Sequence, residues 1–290
     1  MVGQIIVNGL LLGGLYGMAS IGFSMVWGIM GIINLAHGSF IMVGAYVTFV
    51  AFTYFGIDPI LSIPLSMVVL FCLGYSVQTL LLNRLMRTSL LLSLVLTFGL
   101  DLVLINLAVL IFSADLRSVN TAYSIRSLAI GGLLIPYVRL MAFTLALFLA
   151  GAFYLFFNRT KAGQAILATA LDKEVARLMG INPFRCYALT AGAGAALAGA
   201  AGSLASMLFP ISPSMGTSFI GSVFVVTVLG GIGCIEGAVY AGLIYGLIQA
   251  FAASYFGVNY QEIVAFSMFL LILLLRPQGL LGKRFFGEIS

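Results

Sequence analysis

Apolar runs of about 20 residues follow one another along almost the whole chain, and no other feature constrains its fold as strongly. Such a run is what a hydrocarbon core about 30 Å thick requires of a spanning helix. Spans are expected near 4–27, 36–55, 59–82, 89–112, 136–157, 187–209, 217–235, 238–257 and 262–275. Of the 290 residues, 62% are hydrophobic and 7% charged. A soluble domain carries roughly 25% charged residues, so these few cannot make its polar surface. The runs do not alternate apolar and polar residues with period two, which excludes a transmembrane barrel. The sequence predicts an all-α polytopic membrane protein of eight or nine transmembrane helices, a single transmembrane domain over 1–290.

The first run lacks a basic n-region and a small-residue cleavage pattern, and is read as a retained helix. Cys72, Cys186 and Cys234 are odd in number and lie in or beside spans, so no disulfide framework is implied. Basic residues set the orientation. Arg84 and Arg87, then Arg159, Lys161, Lys173, Arg177 and Arg185, then Arg276, Lys283 and Arg284 fall in three regions assigned to the cytoplasm. Arg117, Arg126 and Arg139 then lie outside. Nine crossings place the N-terminus outside and the C-terminus inside; eight would make "GIINLAHGSF" (31–40) re-entrant. The net charge of +5 is therefore loop charge at the inner surface, with no nucleic acid implied.

The longest polar segment, 158–186, contains a short helix of its own. Asp172 suits an N-cap, Gly180 a C′ stop, and Pro183 lies beyond. Val175, Leu178 and Met179 share one helical face, with Lys173, Glu174 and Arg177 on others. Lying on lipid and docking a cytoplasmic partner both suit such a helix.

Catalytic chemistry is missing. "GLLGKR" (279–284) has a Gly-Lys, but its glycine spacing does not match a phosphate-binding loop and Arg284 replaces the hydroxyl residue. There is no HExxH and no cysteine–histidine cluster, so no metal site is expected. "GFSM" (22–25) offers Gly-x-Ser, yet thirteen residues separate Ser24 from His37, roughly 20 Å of unbroken helix. The chain is expected not to be an enzyme.

Polar residues within spans mark the pathway instead. Asp101 lies near the middle of the fourth span with no basic residue within two turns, and Thr97 shares its face at i−4. Asp101 is either hydrogen-bonded to another helix or faces the solute. Asn34 and His37, the only histidine, interrupt the apolar sequence at 31–40. They suit groups that hold an irregular backbone, since non-helical chain survives in a membrane only when partners satisfy it. Glu236 reads as a solvated turn residue. Small-xxx-small spacings such as Gly9-Gly13-Gly17 and Gly192-Ala196-Ala200 suit close helix packing. "HGSFIMVGAY" (37–46) and "EGAVYAGLIY" (236–245) look alike enough to suggest an inverted repeat.

The stretch "GLYGMASIGFSMVWGIMGIINLAHGSFIMVGAY" (15–46) resembles the opening of branched-chain amino acid ABC transporter permeases of the Liv type, with their G-x-x-N-x-A-H-G signature. "GQAILATALDKEVARLMGIN" (163–182), "VLGGIGCIEGAVYAG" (228–242) and "RPQGLLG" (276–282) also resemble blocks of that family, in the same order. The resemblance implies the ABC importer permease fold in a bacterial inner membrane, with a cytoplasmic C-terminus. The implied partners are a second permease (a homodimer or a sibling heterodimer), two cytoplasmic ATP-binding subunits and a periplasmic substrate-binding protein. ATP and Mg would be bound by the ATPase partner and no cofactor by this chain. It also turns the helix near 172–179 into a coupling helix, with Ala170, Leu171, Asp172, Val175, Leu178 and Gly180 at the ATPase contact. Asn34, His37, Thr97 and Asp101 become the expected substrate-pathway residues. The chain departs from the family where Ser39 replaces an often acidic residue, where Glu236 replaces a common proline, and at Asp101, near which a neutral residue is usual. Urea and amide permeases share the histidine-glycine signature. An ion-coupled transporter using Asp101 is the alternative of another class.

Overall fold

The computed structural model describes residues 2–85, 90–121, 123–124, 126–130, 132–275 and 279–280. Arg87, Arg276, Lys283 and Arg284, and most of 276–282, lie outside these residues. The helices are α1 (Val2–Met30), α2 (His37–Phe55) and α3 (Pro59–Val77), which runs through a π turn into the single turn α4 (Asn83–Leu85). Next come α5 (Leu90–Phe112), α6 (Tyr137–Arg159), α7 (Lys161–Leu171), α8 (Lys173–Leu178) and α9 (Pro183–Ser206). The chain ends through α10 (Met215–Gly230), α11 (Ile235–Tyr255) and α12 (Gln261–Leu275). Among the described residues eight segments are long and apolar enough to cross a membrane. The ninth, α10, has 16 residues, a rise of about 24 Å. Among the described residues a hairpin of β1 (Ser127–Ile130) and β2 (Leu133–Pro136) is the one paired sheet. Gln4 at the start of α1 holds it, donating to the Leu134 carbonyl at 2.6 Å and accepting from the Leu134 N–H at 2.9 Å.

The core is a seam of small residues. α9, "PFRCYALTAGAGAALAGAAGSLAS", is almost wholly alanine, glycine and serine along its last two-thirds, and every residue from Thr190 to Ser206 is buried. Small side chains let backbones approach, which substitutes for a hydrophobic drive between helices in lipid. α5 and α12, built from Leu, Ile, Val and Phe, bury few of their residues and present apolar surface outward.

Two four-helix units share one connectivity. In α1–α2–α3–α5 and in α9–α10–α11–α12, the first helix ends in a non-helical break before the second begins, at residues 31–36 and 207–214. α1 lies along α11 and α3 along α9, each pair antiparallel. Equivalent positions meet on the axis that relates the units: Gly22 packs on Gly194 and Gly38 on Gly216, backbone to backbone, where any Cβ would overlap a carbonyl. The units run in opposite senses, an inverted-topology repeat. This corrects the expected match of 37–46 with 236–245: α2 is the counterpart of α10, and α11 that of α3. The 37–46 and 236–245 stretches look alike because both are helix starts needing a small-residue face.

Candidate functional site

α1 stops at Gly31, whose φ of +67° suits glycine and whose N–H still bonds the Trp27 carbonyl at 2.8 Å. The chain then folds back alongside α1, so that α2 begins level with Ala19, eleven residues before Met30 (30 − 19). Eleven residues of helix rise about 16 Å, so the break lies well inside the helical layer.

Side chains satisfy this stretch of backbone. Asn34 Oδ1 accepts from the Ala36 N–H at 3.1 Å, and the Asn34 carbonyl accepts from the His37 N–H at 3.1 Å. His37 is 1% exposed, and its Nε2 lies 3.0 Å from the Ala19 carbonyl of α1. A carbonyl only accepts, so Nε2 carries the proton there. The Phe23 ring packs edge-on against the imidazole, 5.4 Å between centroids. Thr97 of α5 accepts from the Leu35 N–H at 3.3 Å, and its hydroxyl lies 3.1 Å from the Leu94 carbonyl and 3.4 Å from that of Ile33. One turn on, Asp101 Oδ1 accepts from the Ser39 hydroxyl at 2.5 Å. Among the described residues Asp101 Oδ2 accepts no hydrogen bond, and the carboxylate is half-buried.

Asn34, His37, Thr97 and Asp101 therefore gather at one place, around the break and the first turn of α2. The group pins three helices (α1, α2 and α5) about a short irregular segment, and it leaves one carboxylate oxygen free. His37 itself is helical and turned into α1. The residue missed as a site member is Ser39. In the sequence Ser39 stood out only as a departure from the family pattern, whereas Asp101 stood out both as such a departure and as an ionisable group within a span; in the structure the two hydrogen-bond each other. Among the described residues no three His, Cys, Asp or Glu side chains gather as for a metal.

The second set of residues lies elsewhere, on the α7–α8 corner. Thr160 caps α7 by accepting from the Gly163 N–H at 3.0 Å. Asp172 caps α8, its Oδ1 accepting from Glu174 N–H at 2.8 Å and Val175 N–H at 3.0 Å. Gly180 follows at φ +81°, and Asn182 caps α9 ahead of Pro183. Ala170 is half-buried, Ala176 is buried, and Leu171, Val175, Leu178 and Met179 stand exposed. The apolar face thus points away from the protein, and alanine makes the inward contact. Glu236 is exposed on the first turn of α11, where a carboxylate complements the helix dipole.

A family model described as the permease component of branched-chain amino acid transport systems matches residues 5–273. The chain belongs to that family. Like its relatives, this permease is a multi-pass membrane protein and a transport subunit. It is 34% identical to BraD of Pseudomonas aeruginosa, a high-affinity branched-chain amino acid transport system permease protein, over 97% of this chain and 95% of that one. It is 31% identical to LivH of Escherichia coli, of the same description, again over 97% and 95%. A probable LivH of Methanocaldococcus jannaschii is 28% identical over 97% and 91%. No solved structure matches the chain.

Proposed function

We propose that this permease is the membrane path of an ATP-driven importer for branched-chain and related small amino acids, in a bacterial inner membrane. The family match along nearly the whole length carries this reading, since BraD and LivH are named for that transport. Its working partners are a second permease, two cytoplasmic ATP-binding subunits that hold ATP and Mg, and a periplasmic binding protein that delivers the amino acid. The α7–α8 corner and the C-terminus face the cytoplasm in this reading, which the three groups of basic residues support.

The α7–α8 corner is the coupling element. Four exposed apolar side chains project from the corner: Val175 and Leu178 from α8, which Asp172 caps, Leu171 from the end of α7 and Met179 just past α8. ATP-driven movement of the partner then shifts this corner and, through α6 and α9, the seam between the two repeats. At the other end of the transmission, Asp101 and Ser39 join α5 to α2 beside the path, with Asn34, His37 and Thr97 holding the break in register.

Val175→Asp and Leu178→Asp test the coupling role. Each should abolish co-purification of the ATP-binding subunits while the permease still elutes as a folded species. ATPase capture at the wild-type level removes the role from this helix.

A further inference from the structure

The second break borders a cavity of about 290 Å³. Residues 209–214 form one wall, and α10, α11 and the first turn of α12 form the others. The floor reaches Tyr16, midway along α1. Non-helical backbone at membrane depth persists only when buried in protein or lining water, and this segment lines an open space.

The lining chemistry is uneven. Ser222 and Gln249 are each 5% exposed, deep between helices, and both meet the Tyr245 hydroxyl at 2.9 Å. Gln249 donates there through Nε2, and its carbonyl oxygen accepts no hydrogen bond among the described residues. Phe209, Met215 and Phe219 supply an apolar wall. Among the described residues Glu262 is the single carboxylate on the lining, and no basic side chain lines it. Such a wall attracts an ammonium and disfavours a solute that is only anionic. Ser218, on the first turn of α10, lines the same space at a helix end that favours a carboxylate. The volume lies at the small end of ligand pockets, which run from roughly 300 to 1,000 Å³, so it takes one small molecule.

We propose that this cavity is an entry site for one zwitterionic amino acid with an apolar side chain: Glu262 takes the ammonium, the first turn of α10 the carboxylate, and the Phe209–Met215–Phe219 wall the side chain. The assignment rests on the importer reading above and adds the place where the solute first meets this permease. It also requires the cavity to open on the outer side, the side carrying Arg117 and Arg126.

The test places a cysteine in the wall by Ser218→Cys and labels the whole importer in right-side-out vesicles with a membrane-impermeant maleimide, reading signal over the parent chain. Leucine should protect the thiol. 4-Methylpentanoate, which keeps the side chain and carboxylate but lacks the ammonium, should not. Adding Glu262→Gln should raise the half-protecting leucine concentration by about tenfold or more, the loss of one charge-assisted contact; Glu262→Asp should restore part of it. Co-purification with the ATP-binding subunits checks that each variant is folded. A thiol that labels only from the inner side, protection equal for leucine and 4-methylpentanoate, or no protection overturns the site. If the wild-type importer takes up labelled leucine while the thiol stays unprotected, the cavity assignment falls and the importer reading stands. If it takes up none, the importer reading itself falls.

Discussion

The two breaks occupy matching places in the two repeats and are closed to different degrees. At 31–36 side chains from two other elements reach in: Asn34 caps the turn, Thr97 meets Leu35 and Ile33, and His37 bonds across to Ala19. At 207–214 the main outside tie is a backbone pair between Ile211 and Arg117, at 2.9 and 2.8 Å, and the segment opens on a cavity. One topology thus gives a break tied by side chains and a break that borders a cavity. Residue chemistry makes the difference: amide, imidazole and hydroxyl groups on the first, Phe-Pro-Ile-Ser-Pro-Ser on the second. A pair of related breaks, one tied by side chains and one bordering a cavity, is what an access path needs if it opens on one side at a time.

The contact on the axis offers the severest way to break the comparison. A valine at Gly38 or at Gly216 drives a side chain into the opposite backbone carbonyl. Overpacking costs about 1–3 kcal/mol where side chains can yield, and backbone here cannot. Both variants should lose the monodisperse permease on size exclusion, to similar extents. Tolerance of one and loss of the other would show that the two breaks do not share a seam.

The Ser39–Asp101 pair gives the next largest effect. Ser39→Ala leaves Asp101 Oδ1 without its donor, a cost of about 1–3 kcal/mol, read as a lower unfolding temperature. Asp101→Asn keeps an acceptor for Ser39 but removes the charge, so assembly should survive while uptake falls. Uptake at the wild-type level would return Asp101 to the structural polar groups. Smallest are the single ties. Thr97→Val removes the hydroxyl that ties Leu35 and Ile33 of the first break and should cost about 1 kcal/mol. Ser212→Ala on the second break should change stability by less than about 0.5 kcal/mol. Equal costs would erase the asymmetry between the breaks.

Much of this was legible in the sequence, for physical reasons that differ by region. Spans announce themselves by length and apolarity, and the ends of α8 by Asp172 and Gly180, since local rules govern each. Asn34, His37, Thr97 and Asp101 could be singled out because polar groups in apolar runs need partners. What the sequence did not show was which partner each one takes. Ser39 meets Asp101 across 62 residues, and His37 meets a main-chain carbonyl that no side-chain pattern marks. The repeat was misassigned because glycine-rich helix starts look alike, whereas its true register is set by contacts on the axis. The outward turn of Val175 and Leu178 depends on alanine packing inward, a choice periodicity alone leaves open.

The central claim is that this chain conducts an amino acid only as part of an ATP-driven assembly. The direct measurement is uptake of labelled leucine into proteoliposomes holding the permease pair and the ATP-binding subunits, with the binding protein outside and ATP inside. Uptake should require both ATP and the binding protein and be indifferent to imposed proton or sodium gradients. Leucine accumulation by the permease alone, without ATP and driven by an ion gradient, would contradict the account.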